Sequence, residues 1–342
     1  MIPDPGTTRV TLKDVAREAG VAASTVSKVI NDRPDVGPKV RQQVLETIER
    51  MGFRPNTVAR GLRMRRSDTI AIVADDLEGT FTSTMMRGVE DAAFAADVGV
   101  LLCNSYGDVE RERKQLRRLL DKQVDALIFM SGARVGARPS PALPIPPSVP
   151  FLYLYEYGEP GIASVLPDDF GGAVTAVRHL AERGAREIAF INGPAGWEAT
   201  VDRLRGYRAG LEEAGMLFDD RLVLDAASWS PADGFGRMTA LIESGRRFDA
   251  VFCASDDLAL GVLNALGDAG RRVPEDVQLV GYDDRAFSRH QRPPLTTIAL
   301  PLLEMGELAG RLILDAISTG KTPTDEIRMP CRLIERESTR RK

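Results

Sequence analysis

The sequence predicts an all-α helix-turn-helix head followed by an α/β core of two similar parallel-sheet lobes. Three observations carry this. Residues 12–51 hold short helical periods, the first two broken at Gly20-Val21, with apolar residues on one side only. From Thr69 onward, apolar runs of strand length alternate with helical stretches, the pattern of parallel sheets flanked by helices. That alternation restarts near Gly171 and supplies more strands than one small sheet uses. At 342 residues the chain exceeds one ordinary core and fits two or three compact units.

Taken in order, the first helix is expected over Leu12–Ala19, with Thr11 as N-cap and Asp14 as its capping-box partner. The second is expected over Ala23–Ile30 and the third over Pro38–Met51. Pro38 suits a first helical turn, Val40, Val44, Ile48 and Met51 recur at helical spacing, and Gly52 closes the helix. Phe53-Arg54-Pro55 forces an extended exit, and Asn56 opens a short segment reaching Arg63. In the core, strands are read at Ile70–Ala74, Val98–Cys103, Ala126–Met130, Phe151–Tyr155, Ile188–Ile191, Ala250–Ala254 and Val277–Gly281. Helices such as Met85–Ala96, Arg111–Lys122, Gly172–Arg183, Arg203–Ala214 and Leu258–Ala269 lie between them. The proline-rich stretch Pro139–Pro150 reads as a loop before a strand.

Charge divides the chain unevenly. Residues 1–66 carry thirteen Lys and Arg against seven Asp and Glu, a net of +6. The whole chain is −4, so residues 67–342 hold −10. A basic head on an acidic body means that only the head is suited to phosphate. Cys103, Cys253 and Cys331 read as reduced thiols, and His179 and His290 stand in unrelated contexts, so neither a metal nor another cofactor is expected. No basic-then-apolar leader is read at Met1–Val10 and no uncharged run of spanning length follows; a cytoplasmic protein without membrane contact is expected.

On the second helix, Val26, Val29 and Ile30 share the side that faces Val15, Ala16 and Ala19. Ser24 and Lys28, four residues apart, share the opposite face with Ala23 beside them. Small residues at the helix start let its backbone sit deep in a DNA major groove. There Lys28 reaches guanine O6 or N7 and Ala23 touches a thymine methyl. Thr11, Thr25, Ser27 and Asn31 offer polar groups at the rim, where phosphates set register. A three-helix domain for protein contacts is the plainer alternative, and the basic charge argues against it. The segment Asn56–Arg63, with Gly61 inside it, is a poor isolated helix; a basic linker over Arg60–Arg66 is its plain reading.

Parallel sheets bind ligands beyond the carboxyl ends of their strands. Those positions are polar here: Asp75-Asp76, Asn104-Ser105, Ser255-Asp256 and Tyr282-Asp283-Asp284. Carboxylates accept from sugar hydroxyls, and aromatic rings cover the apolar face of a sugar. Any one of these acids alone would read as a loop charge or helix cap; recurrence at several strand ends favours a site.

The run Val10–Leu62 resembles the DNA-binding head of lactose-repressor (LacI/GalR) family transcription regulators. The shared residues are Thr11-Leu12-x-Asp14-Val15-Ala16-x-x-Ala19-Gly20-Val21, Thr25-Val26-Ser27, Asn31, Val36, Arg41, Val44, Gly52-Phe53-x-Pro55-Asn56 and Ala59-x-x-Leu62. The resemblance implies base reading by Ala23, Ser24 and Lys28. Lys28 stands where many members have arginine, and a point charge with less bidentate geometry implies a shifted or looser operator preference. It also implies a hinge helix in which Asn56, Ala59 and Leu62 meet the minor groove, Leu62 wedging a base step open.

The resemblance runs on to about residue 335 through Asp168-Asp169-x-Gly171-Gly172, Ile188-Ala189-Phe190-Ile191-x-Gly193, Arg203-x-x-Gly206-Tyr207, Ala254-x-Asp256-x-x-Ala259-x-Gly261, Val280-Gly281-Tyr282-Asp283-Asp284 and Pro293-Pro294-Leu295-Thr296-Thr297-Ile298. It implies a periplasmic-binding-protein-like core holding a ligand between its lobes. Arg203 and Asp283 match ligand contacts and Trp229 an aromatic wall, with Asp75 and Ser255 completing the expected effector site. Trp197 falls near the same cleft in sequence order, with packing an equal alternative. Ser255 replaces a common asparagine, and Tyr155 stands where some sugar-binding members have a carboxylate.

The domains expected are a head over residues 1–55, a hinge over 56–66 and a core over 67–335. Lobe one takes 67–166 and 296–335, and lobe two takes 167–295. The function expected is a repressor that binds a palindromic double-stranded operator as a homodimer and answers to a small effector, a carbohydrate. A nucleobase-responsive member of the family is the alternative ligand class. A solute-binding protein of transport would lack the basic head. An enzyme is not expected, because no Gly-x-Ser-x-Gly elbow, P-loop or metal-spaced cluster appears.

Overall fold

A computed structural model of the chain describes residues 10–53, 66–132, 135, 141–158 and 160–340. The chain divides into two compact units, residues 1–67 and 68–342. The first holds α1 (Leu12–Glu18), α2 (Ala23–Ile30) and α3 (Pro38–Met51). Thr11 and Asp14 form the reciprocal capping box that opens α1. Gly20, at φ +63°, makes the break between α1 and α2, a left-handed position that costs glycine nothing. Val15, Ala16, Ala19, Val26, Val29, Val44 and Phe53 form the small core. The segment containing Asn56, Ala59 and Leu62 lies outside the described residues.

In the second unit the first sheet collects β1 (Thr69–Ala74), β2 (Gly99–Asn104), β3 (Ala126–Met130), β4 (Phe151–Leu154), β5 (Ser164–Pro167) and β11 (Glu326–Met329). Their order is β11-β5-β4-β3-β1-β2, all parallel. Helices α4 (Thr82–Ala95), α5 (Val109–Asp121) and α10 (Leu302–Thr319) accompany this lobe. The second sheet collects β6 (Ile188–Asn192), β7 (Val223–Asp225), β8 (Ala250–Cys253), β9 (Gln278–Asp283), β10 (Thr296–Ala299) and β12 (Arg332–Ile334), in the order β12-β10-β9-β8-β6-β7. Only β12 runs antiparallel. Its helices are α6 (Asp169–Glu182), α7 (Glu198–Glu213), α8 (Pro231–Glu243) and α9 (Asp256–Asp268). Strands β3, β6, β8 and β9 are buried along their whole length, which is why they read as unbroken apolar runs rather than alternating ones.

The lobe boundary differs from the one expected. Thr296–Ala299 pairs in parallel with β9, and Arg332–Ile334 pairs with β10, so both segments belong to lobe two. Thr296 and Thr297 are fully buried there, and the Thr297 hydroxyl donates to Asp256 at 2.6 Å. The chain returns to lobe one only with α10, which packs on α4. Two glycines make that packing close: a Cβ on Gly88 would stand 2.3 Å from the Leu303 carbonyl oxygen, and one on Gly306 2.0 Å from that of Met85. Among the described residues, no helix is long and apolar enough to cross a membrane.

Candidate functional site

On the head, Ser24 and Lys28 are exposed, while Ala23, Thr25, Ser27 and Asn31 are half-buried. The face opposite them is closed, with Val26 and Val29 in the core. Helix α2 starts at Ala22 without a side-chain cap, so its first-turn N–H groups have no capping oxygen. The Lys28 ammonium lies 2.5 Å from a carboxylate oxygen of Asp35, and donation from Lys28 holds that carboxyl below its ordinary range. The exposed Thr11 hydroxyl donates to Asp14 at 2.6 Å, and the Asn31 amide donates to the Ser27 carbonyl at 2.6 Å. These two side chains therefore serve the head's own structure as well as offering groups at its rim.

In the core a cavity of ≈ 410 Å³ opens at the carboxyl ends of both sheets. Lobe one lines it with Asp75 after β1, Gly132 after β3 and Tyr155 after β4; lobe two does so with Ser255 after β8 and Asp283 at the end of β9. This is the placement that parallel sheets favour, since loops diverge there.

Arg203, from α7, forms the floor. Its Nε and Nη2 each lie 2.8 Å from Oδ1 of Asp169, and its Nη1 donates to the Ala254 carbonyl. The guanidinium carbon sits 3.8 Å from the centre of the Tyr282 ring and 5.8 Å from that of Trp229. Asp283 Oδ1 lies 3.5 Å from Nη1, close enough for attraction but without hydrogen-bond alignment; the atom is buried and accepts no hydrogen bond. Burial pushes the Asp283 carboxyl well up, against the pull of Arg203. Asp283 also holds φ at +102°, a conformation a non-glycine residue keeps only where its surroundings impose it.

Around that floor, Trp229 meets Trp197 edge to face, with centroids 6.4 Å apart, and across the cleft Phe81 lies 5.9 Å from Tyr155. Gly193 and Gly132 make the room: a Cβ on either would stand 2.1 Å from Trp229 or 2.6 Å from Trp197. Asp75 accepts from the Gly132 N–H at 3.2 Å, and burial raises its carboxyl. Ser255 caps α9, its hydroxyl accepting from the Leu258 N–H at 3.1 Å.

Comparisons with known proteins fit this geometry. Residues 11–56 match the model of bacterial regulatory proteins of the lacI family, and residues 177–339 match a periplasmic binding protein-like domain. Catabolite control protein A of Priestia megaterium is 34% identical over 97% of this chain and 99% of its own length. The chain belongs to the lacI family of bacterial regulatory proteins. Among solved structures, the lac repressor dimer bound to operator and the anti-inducer ONPF matches with a TM-score of 0.82 and 28% identity, covering 97% of this chain and 99% of that one. The transcriptional regulator CelR in complex with cellobiose matches with a TM-score of 0.68 and 33% identity, covering 96% and 100%.

In this lacI-family core, Asp75, Arg203, Trp229, Ser255 and Asp283, the five effector residues expected, all line one cleft. Asp76 lines it too, while other polar strand ends turn elsewhere. Asn104 and Ser105 hold the turn after β2, accepting from the Tyr106 N–H and donating to the Ala74 carbonyl. Asp256 faces into the fold, accepting from Ser288, Thr297 and the Arg285 N–H, and Asp284 pairs with Arg336 at 2.5 Å. The cleft also holds residues that sequence reasoning did not single out as a site: Phe81, Tyr157, Asp169 and the Asp257–Arg285 ion pair at 2.6 Å. Asp169 stood within a quoted motif, but the strand that aims it, β5, is four residues long and escapes a periodicity search.

Proposed function

We propose that the chain is a repressor that binds a palindromic operator as a homodimer and is switched by a sugar held in the cleft. The observation that carries the effector half is the pairing of Asp283 with Arg203 between aromatic walls. A hydroxyl is both donor and acceptor, so it satisfies a carboxylate and a guanidinium together, while tryptophan covers a pyranose face. The CelR–cellobiose complex supports this ligand class. A nucleobase would satisfy the aromatic walls but makes less use of the clustered acids.

For the DNA half, Lys28, Ser24 and Ala23 read bases, and Thr11, Thr25, Ser27 and Asn31 meet phosphates. Lys28 exchanges Asp35 for a guanine edge on binding. Asn56, Ala59 and Leu62 act as the minor-groove hinge on the strength of their motif. The homodimer is supported by apolar exposure on lobe one: Phe94, Leu101, Leu102 and Val109 are exposed, two of them on the edge strand β2, a surface that isolated proteins normally blunt. This reading makes the protein a cytoplasmic regulator without catalysis or cofactor.

The test is selection of a preferred duplex from a random pool, followed by fluorescence anisotropy with and without saccharides. A palindromic preference and a saccharide-dependent change in affinity are expected. A site without two-fold symmetry would overturn the dimeric reader; indifference to every saccharide with a response to purines would overturn the sugar.

A further inference from the structure

We infer that the cleft selects an uncharged saccharide of two linked rings and rejects phosphorylated or otherwise anionic ones, with Asp257 serving as the charge filter. This rests on the sugar reading above and adds the size and charge of the ligand.

Size follows from the cavity and its walls. At ≈ 410 Å³ the cleft falls within the ~300–1,000 Å³ of small-molecule sites and exceeds what the dozen non-hydrogen atoms of one hexose fill. The two indoles meet at 72°, so a single flat ring covers one of them and not both. Lobe one brings a second aromatic pair, Phe81 and Tyr155, tilted by 54°. Two rings joined by a glycosidic bond, free to twist against each other, fit walls set at such angles.

Charge follows from the arginines. Anion sites leave an arginine fork open to the ligand. Among the described residues, both lining arginines are neutralised by acids of the same lobe: Arg203 by Asp169, with Asp283 beside it, and Arg285 by Asp257. Asp75, Asp76 and Glu78 add acidic groups from lobe one, and among the described residues no arginine or lysine of that lobe lines the cleft. A phosphate entering the cleft meets carboxylates on both sides. A cation gains from the acids but faces two guanidiniums, whereas hydroxyl groups satisfy the acid and arginine of each pair together.

Asp257 is the filter that substitution can open. It is partly exposed, and its carboxylate bonds Arg285 alone among the bonds described, so Asp257→Asn leaves a cationic fork facing the cleft without disturbing the buried floor.

The experiment is calorimetric titration of the full chain with maltose, cellobiose, lactose and trehalose, with glucose and galactose, and with trehalose 6-phosphate and glucose 6-phosphate. Glucosamine serves as the cationic probe. A neutral disaccharide is expected to bind at least about tenfold more tightly than any monosaccharide or phosphorylated sugar, like charges being strongly disfavoured at close range. Asp257→Asn should narrow the gap between neutral and phosphorylated sugars by about tenfold, and an unchanged melting temperature shows that the variant folds. Trp197→Ala should weaken the disaccharide by a larger factor than any monosaccharide. Tighter binding of a phosphorylated sugar, a monosaccharide or glucosamine overturns the inference and leaves the sugar reading standing. An unchanged charge preference in Asp257→Asn removes that residue from the role. Failure of every saccharide to bind removes the sugar reading itself.

Discussion

Asp256 offers the sharpest test of how this core is held together. Its carboxyl is fully buried at the start of α9 and accepts from the hydroxyls of Ser288 and Thr297, both at 2.6 Å, and from the Arg285 N–H at 2.8 Å. Desolvation outweighs those three donors and raises its pKa from 3.8 to about 6. Since the folded value lies above the unfolded one, the folded state favours the protonated acid. The stabilisation is complete below about pH 4 and is lost as pH rises through about 6. A gap of roughly two units corresponds to about 3 kcal/mol in all, of which about half falls between pH 5 and pH 7.5.

Asp256→Asn removes the titration while keeping a carbonyl for the Arg285 N–H and the Ser288 hydroxyl, which share one oxygen, and the Thr297 hydroxyl on the other side can turn to accept from its amide. Urea unfolding of both proteins at pH 5 and pH 7.5 measures the effect. The variant should gain on the native chain by about 1.4 kcal/mol between those pH values. A difference that does not change with pH would show that the carboxylate is ionised at no cost and that its three donors offset its burial in full.

Arg203→Met should lower stability by about 3–5 kcal/mol, because it leaves Asp169 and Asp283 buried without their cation, and thermal unfolding reads this directly. Asp283→Asn is the cleaner probe of the effector, expected to weaken saccharide binding in calorimetry with little change in melting. Gly88→Val should cost about 1–3 kcal/mol or more by driving a side chain into the Leu303 carbonyl, seen as a lowered melting temperature. Tyr157→Phe removes a donor to Asp202, 2.7 Å away, where Tyr157 and Arg328 of lobe one clasp a carboxylate of lobe two; saccharide affinity should fall by about tenfold.

Much of this architecture was legible in the chain. The capping box at Thr11 and Asp14, the turn at Gly20 and the apolar face of Val26 and Val29 are local chemistry, and the head formed as read. Helix starts in the core were placed late: Met85 for Thr82, Arg111 for Val109, Gly172 for Asp169, Arg203 for Glu198 and Leu258 for Asp256. Apolar periodicity reports where burial begins, whereas a helix begins at its cap, and Asp108, Asp168 and Ser255 are polar capping residues one turn ahead. Strands β5, β7, β10, β11 and β12, of three or four residues each, carry too few positions to show a period.

By itself the sequence determined the head, the longer apolar strands and many of the helices, the family and the short set of polar residues from which a site would be drawn, because caps, turns and apolar runs act within a few residues. Only the tertiary structure decided which of those residues meet. It turned Asp256 inward and Asp283 toward the cleft, although both follow strands of one sheet. It carried β10 into lobe two, and it set Asp257 against Arg285 across twenty-eight positions. Such pairings depend on sheet order and helix packing over long separations, and no local pattern encodes them.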